Sequence, residues 1–287
     1  MKAMILAAGL GTRLGLLTSK RPKPLVPVAN RPVIDIVIEH LKRCGAREIV
    51  VNAHHYHQQI VDHIRGGRPY KIRIDVRVEP EILGTGGGIK NTVDFWDADP
   101  FVVINGDIIT NIDIRRVYEF HKKNRGIATL VLHNYYPFNQ IQIDGHFNVI
   151  DIADRNHPDR LAFTDIHIIE PELLNHIPDG IFSNIIDCYR MLIMRGESIK
   201  AYVSKGHYWR DVGTIKSYVL ANKEALLDDP FLVAPGCRID DSVRFNDWAV
   251  VGRNVSIEKG VEITRSILWE GVTLAKDVKI VDSIIVL

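Results

Sequence analysis

The chain has few cysteines: 3 among 287 residues, Cys44, Cys188 and Cys237, far apart and with no CxxC pair. That spacing excludes a disulfide framework and suits a reducing, cytoplasmic setting. No apolar run approaches the length of a membrane span, and Ala3–Ala8 is too short for a signal-peptide core. An excess of one charge sign is also missing, with 36 basic residues against 35 acidic ones. No global field therefore draws the chain to nucleic acid or to an anionic membrane, and a phosphate site has to be built from local charge.

What the chain does have is alternation. Residues 1–8 read as a buried strand opening onto glycines. Pro22, Pro24, Pro27 and Pro32 punctuate a loop that should not be helical. Ile34, Val37, Ile38 and Leu41 recur at helical spacing between Pro32 and Cys44, and Gly45 is placed to end that helix. Strands are expected at Glu48–Asn52, Ile72–Val78 and Phe101–Ile104, with a helix over Tyr56–Ile64. Strands alternating with helices predict an α/β fold with a mainly parallel sheet, whose ligands sit beyond the carboxyl ends of the strands. Beyond about residue 228 helical periodicity stops. Val255, Val261 and Ile267, then Val272, Val278 and Ile284, repeat every six residues between glycines. This period predicts a short parallel β-helix that needs capping by the main domain or by another subunit.

Two segments carry phosphate chemistry. In Leu6-Ala7-Ala8-Gly9-Leu10-Gly11-Thr12-Arg13-Leu14, glycines allow close backbone approach to an anion and Arg13 adds a planar cation. A dinucleotide fingerprint competes for this loop, but its third glycine would fall on Leu14. In Arg21-Pro22-Lys23-Pro24-Leu25-Val26-Pro27-Val28, prolines on both sides stiffen the backbone around Lys23. Asp107 follows a buried strand, and Asp211 lies between Trp209 and a Gly-Thr turn. Magnesium prefers one or two such carboxylates plus phosphate oxygens. The plain alternatives are a strand-ending turn and a helix-starting acid. His54, His55, His57 and His63 lack acidic or thiol partners at ligand spacing and read as polar loop positions, while Trp248 and Trp269 read as packing residues.

Together these motifs resemble the signature of the sugar-1-phosphate nucleotidyltransferases. The similarity continues through Glu79–Gly88, Asn105-Gly106-Asp107 and Tyr208–Thr214. It implies a Rossmann-like catalytic domain over residues 1–227 and a left-handed hexapeptide β-helix over 228–287. It implies catalysis by Arg13, Lys23, Asp107 and Asp211, with Mg²⁺ held by Asp107 and Asp211. The nucleotide would meet Leu6, Ala8, Gly9, Gly11, Thr12, Arg13, Glu81 and Gly86. The sugar phosphate would meet Gly87, Asn105 and Asp165. The partners implied are a nucleoside triphosphate and a sugar 1-phosphate, with homo-oligomerisation through the β-helix as an option. The chain is similar to mannose-1-phosphate guanylyltransferases, with Glu79 or Glu81 on the guanine edge, and to N-acetylmuramate-1-phosphate uridylyltransferases. A catalytically silent regulatory subunit of the same fold is the alternative. The chain departs from the family in two places. The Glu-x-Lys-Pro anchor of the sugar phosphate is absent, leaving Arg155 or Arg160 as candidates, and Asp165 stands where the family tends to place glycine.

Overall fold

A computed structural model describes residues 1–65 and 70–287. Its centre is a run of parallel strands: β1 (Lys2–Leu6), β2 (Glu48–Ala53), β3 (Arg73–Val78) and β4 (Phe101–Asn105). They lie in the order β4-β1-β2-β3. Three helices cross between them: α1 (Val33–Arg43), α2 (His57–Arg65) and α3 (Gly84–Lys90). β1 is buried on both faces, because successive side chains point to opposite sides of a sheet covered twice. Ala3 and Ile5 join one apolar cluster with Ile34, Val37, Ile38 and Leu41 of α1. Met4 joins the other, with Val50, Val103 and Leu192.

An antiparallel wing extends the sheet beyond β4. After a short strand β5 (Ile108–Thr110) come β6 (Ala128–His133), β7 (Asn139–Ile143), β8 (Val149–Ile152) and β9 (Leu161–Ile169). β9 runs antiparallel to β4, β6 and β7, and β10 (Ile199–Val203) pairs parallel with β6. The strand β11 (Trp209–Asp211) forms a separate two-stranded ribbon with β5.

Two expectations need correcting. The glycine-rich run from Gly84, a loop by the family resemblance, is the first part of a helix, α3. Pro22 and Pro24 do not exclude all helical geometry: Lys23–Leu25 forms one 3-10 turn, with Pro24 in its first turn. A tight turn needs few internal N–H donors, so proline is tolerated there.

The C-terminal segment consists of short parallel strands in one five-stranded and one three-stranded sheet. Each strand pairs 17 or 18 residues further on, as in Arg244↔Glu262 and Glu262↔Lys279. That arrangement is consistent with a short β-helix. Val255, Val261, Ile267 and Val272 are buried, but Val278 is 36% exposed. Val278 lies one coil beyond Val261, and Ile280, which pairs with Ile263, is buried.

The tail docks on the segment that carries Lys23. Trp248 and Trp269 are buried in the same cluster as α1. The Trp269 indole N–H donates to Tyr218 Oη (2.8 Å), and the Tyr218 hydroxyl donates to the Pro27 carbonyl (2.9 Å). Arg21 stacks over the Trp269 ring at 4.8 Å and pairs with Glu270 at 2.8 Å. Asn30 Nδ2 donates to the Val251 carbonyl (2.8 Å).

Candidate active site

The carboxyl ends of β1, β2 and β4 open on a pocket of about 300 Å³. Leu6, Ala7, Ala8, Gly9, Arg13, Lys23, Ile82, Gly84, Thr85 and Asp107 are among the residues that line it. A Cβ added at Gly9 would meet no protein atom within 4 Å. Nothing in the fold demands glycine there, so the space it leaves is open to a ligand. Gly106 lies close to β1, donating its N–H to the Leu6 carbonyl (2.8 Å). This brings Asn105 and Asp107 against the first loop.

The β5–β11 ribbon brings the two sequence-distant aspartates together. Its register places Asp211 opposite Ile108, and the Val212 N–H donates to the Asp107 carbonyl (2.9 Å). Asp211 therefore ends a strand and does not cap a helix. Thr214 caps the following helix α4 (Ile215–Glu224), accepting from the Ser217 N–H at 3.2 Å. The Lys23 ammonium pairs with Asp107 Oδ2 and lies 3.9 Å from Asp211 Oδ1. Asp211 Oδ1 is nonetheless buried without a hydrogen-bond partner among the described residues. Burial, then the neighbouring Asp107 charge, pushes the Asp211 carboxyl up to about 6 against the opposing pull of Lys23 and Arg13. Gly213 keeps this corner open, since a Cβ there would stand 2.6 Å from Asp211 Oδ1 and 2.8 Å from Arg13 Nη2.

Asp165 joins the same field from β9. Burial pushes its carboxyl up to about 7, followed by the charges of Asp107 and Asp211, with Lys23 and Arg13 pulling the other way. Part of its surface stays accessible, while protein atoms crowd the rest.

A second polar network shapes the loop from behind. Asn52, which lines the pocket, accepts from the Ala7 N–H (2.7 Å) and donates to Glu79 Oε1 (2.6 Å). Glu79 Oε2 accepts from the Leu83 N–H (3.2 Å). Burial raises the Glu79 carboxyl. With both oxygens engaged, Glu79 is a structural acid and does not face a base edge.

Among the expected nucleotide contacts, Leu6, Ala8, Gly9 and Arg13 line the pocket. Gly11, Thr12, Glu81, Gly86 and Gly87 are not on its wall. Gly11, at φ +70°, packs against Thr18 and the Lys23 Cβ. Thr12 opens a 3-10 turn, and Glu81 is exposed. The Gly86 and Gly87 N–H groups both donate to the Ser183 carbonyl (2.8 and 3.3 Å). A Cβ on Gly86 would collide with Ser183 Oγ at 2.7 Å, so these glycines admit a neighbouring loop. Ile82 and Thr85, from the Glu81–Gly88 run that the family resemblance sets against base and sugar, line the pocket, and Asn52 lines it without having been expected there. Arg160 is committed elsewhere, pairing with Asp151 (2.6 Å) and donating to the Gln140 carbonyl (2.9 Å). Arg155 is exposed.

The histidine group is structural: His54 Nδ1 bonds to the Glu79 carbonyl oxygen and His63 Nε2 to Asp35. A wider cleft of about 460 Å³ lies where the Arg21–Pro32 segment meets α2 and the tail, lined by none of the four expected catalytic residues.

A sequence profile described as Nucleotidyl transferase matches residues 2–227. The chain belongs to the nucleotidyl transferase family. It is 35% identical over 225 residues to an N-acetylmuramate alpha-1-phosphate uridylyltransferase of Neisseria meningitidis, covering 75% of this chain and 94% of that protein. It is 25% identical over 338 residues to a UTP–glucose-1-phosphate uridylyltransferase of Synechocystis, covering 99% of this chain and 87% of that protein. A solved structure of a putative glucose-1-phosphate thymidylyltransferase from Bacillus anthracis, in complex with a sucrose, superposes with a TM-score of 0.70 at 26% identity. That match covers 78% of this chain and 95% of the other. Among the described residues, no helix of this nucleotidyl transferase is long and apolar enough to cross a membrane.

Proposed function

We propose that this nucleotidyl transferase joins a nucleoside triphosphate to a sugar 1-phosphate. A phosphate oxygen of the sugar bonds to the α-phosphorus, and the bond from that phosphorus to the β-phosphate oxygen breaks. A nucleotide sugar forms and pyrophosphate leaves. The attacking oxygen is already anionic, so no general base is required. The difficulty is to bring two anions together and to stabilise the leaving charge, which makes catalysis a matter of positioning and electrostatics.

The observation that carries this reading is the group Arg13, Lys23, Asp107 and Asp211 at the open end of the Gly9 loop. Asp107 and Asp211 fit a magnesium ion: both offer hard oxygens, and Asp211 Oδ1 is buried with no hydrogen-bond partner among the described residues. Bound there, the ion would neutralise phosphate charge and help to align the reactants. Lys23 sits on a proline-stiffened turn and supplies fixed positive charge beside the α-phosphate. Arg13 extends a forked cation toward the β- and γ-phosphates, a geometry suited to phosphate oxygens.

Residues 1–227 are proposed as the catalytic unit and 228–287 as a left-handed hexapeptide β-helix, in a cytoplasmic enzyme of nucleotide-sugar synthesis. The test is pyrophosphate release with a panel of triphosphates and sugar 1-phosphates, including GTP with mannose 1-phosphate and UTP with N-acetylmuramate 1-phosphate. Release should require both substrates and magnesium. Asp107→Asn should nearly abolish it with the fold intact, and near-normal turnover of that variant at saturating magnesium would remove the metal assignment.

A further inference from the structure

We infer that the C-terminal coils take part in nucleotidyl transfer by fixing the segment that carries Lys23. They attach to it at Arg21 on one side of the lysine and at the Pro27 carbonyl on the other, which makes Arg21 a positioning residue for the transfer step. This inference rests on the nucleotidyl-transfer reading of the site and on the place of Lys23 in it.

The first observation is that these tail contacts lie outside the substrate pocket. Arg21, Trp269 and Glu270 line the wider cleft of about 460 Å³, and none of them is on the wall of the pocket that holds Arg13, Lys23 and Asp107. The Arg21–Pro32 segment runs between the two spaces. Leu25, Pro27 and Asn30 face the cleft, while Lys23 and Pro24 face the pocket. An influence of the tail on transfer therefore passes through this segment and not through a contact with substrate.

The second observation is how the segment is attached. Before Lys23, the Arg21 guanidinium lies over the Trp269 ring at 4.8 Å and meets Glu270 at 2.8 Å. Glu270 is exposed, so the ion pair alone is weak, and the buried ring beneath the guanidinium sets its position. Pro22 is the one residue between Arg21 and Lys23. Its ring holds φ at −69°, so a shift of Arg21 carries to the lysine. After Lys23, Trp269 donates to Tyr218 and Tyr218 to the Pro27 carbonyl (2.8 and 2.9 Å). One tail residue, Trp269, is thus tied to both sides of the lysine.

The third observation is the strained tip of the segment. Pro27↔Pro32 and Val28↔Arg31 form a ribbon of two residues per strand, and Ala29 and Asn30 between them take φ +47° and +62°. Side chains other than glycine's seldom adopt that region, and such backbone persists where its surroundings dictate it. Here the Ala29 N–H donates to Asn222 Oδ1 of α4 (2.9 Å), and Asn30 donates to the Val251 carbonyl of the tail (2.8 Å). At the other end of this arrangement the Lys23 ammonium pairs with Asp107 and lies 3.9 Å from Asp211. Catalysis by positioning tolerates displacements of well under about 1 Å at such a group.

The test compares Arg21→Met, Tyr218→Phe, Lys23→Ala and the double variant Arg21→Met with Lys23→Ala, all in the full-length protein. Pyrophosphate release with the most active substrate pair gives kcat and both KM values, and a thermal melt checks the fold. Lys23→Ala should lower kcat by about 10²-fold. Arg21 is partly exposed, so Arg21→Met should fold, and it should lower kcat by about 10-fold with both KM values within about twofold of wild type. Tyr218→Phe should lower kcat in the same way. Added to Lys23→Ala, Arg21→Met should cost nothing more, because the group that it positions is gone. A further loss of about 10-fold in the double variant would show that Arg21 does not act through Lys23 and would overturn the inference. An unchanged kcat in both Arg21→Met and Tyr218→Phe, a loss carried by KM alone, or an undiminished Lys23→Ala would overturn it too. In each of these outcomes the wild type still releases pyrophosphate and nucleotidyl transfer stands. A wild type inactive with every substrate pair would instead overturn the reading of the site and this inference with it.

Discussion

Asp165→Asn should stabilise the substrate-free protein at alkaline pH and leave it nearly unchanged at acid pH. In the unfolded chain this carboxyl ionises near its ordinary value of about 3.9. In the folded protein it is pushed up to about 7, first by burial and then by Asp107 and Asp211. Between those values the folded state holds a proton that the unfolded state has released, so stability falls as pH rises toward the folded value and stays lower above it. At about 1.4 kcal/mol per pH unit the ceiling is about 4 kcal/mol, and partial exposure of the side chain to solvent cuts this to roughly 2 kcal/mol. Asparagine keeps the shape, carries no charge and tolerates φ +57° better than most residues. For a chain of this size the gain corresponds to a rise in Tm of roughly 3–4 °C at about pH 8.5, and almost none near pH 3. The buried His133, held down to about 4, and His167, held down to about 3, act in the opposite sense. Their contributions cancel when variant and wild type are compared at the same pH. The assay is a pair of thermal melts in EDTA at the two pH values. An equal Tm difference at both would mean that Asp165 does not hold a raised carboxyl, and the electrostatic account of the site would fail.

Gly213→Ala would push a methyl group against Asp211 Oδ1 and Arg13 Nη2, both within 2.8 Å. It should lower kcat by about 10²-fold with little loss of stability, which a pyrophosphate assay run beside a thermal melt would show. Asn52→Ala strips partners from the Ala7 N–H and from buried Glu79. A loss of about 2–3 kcal/mol in urea unfolding should accompany a KM that rises more for the triphosphate than for the sugar phosphate. Trp269→Ala should cost about 3–5 kcal/mol, because it empties an indole site in the joint between tail and catalytic core. Trp269→Phe should lose only about 1 kcal/mol, the value of the bond to Tyr218. Equal losses from the two Trp269 variants would show that the ring does not pack as described.

The parts legible in the sequence are those whose signals are local. α1 announces itself through Ile34, Val37, Ile38 and Leu41, which are all buried. The first loop and Lys23 lie within one stretch of chain. The meeting of Asp107 and Asp211 depends instead on a ribbon of three residues per strand, joining Ile108–Thr110 to Trp209–Asp211. So short a pairing leaves no periodic trace, and only resemblance to a family suggested it. The antiparallel wing was silent for another reason. β6 is buried at every position, so its apolar run reads the same whichever way its neighbours point.

The glycines show most directly where sequence reasoning stops. Gly9 and Gly86 stand in similar small-residue runs, and the family resemblance sets both against the nucleotide. A Cβ on Gly9 would meet nothing, whereas one on Gly86 would strike Ser183 Oγ at 2.7 Å. Glycine weakens a helix by about 1 kcal/mol relative to alanine. Gly84, Gly86, Gly87 and Gly88 in α3 therefore need a reason, and the close approach of Phe182, Ser183, Asn52 and Glu79 supplies it. A glycine signals close approach without saying to what, and only the three-dimensional neighbours tell a ligand's space from a loop's. By that criterion the space beside Gly9 is open to a ligand, whereas Gly84, Gly86 and Gly87 admit the neighbouring Ile181–Ser183 loop.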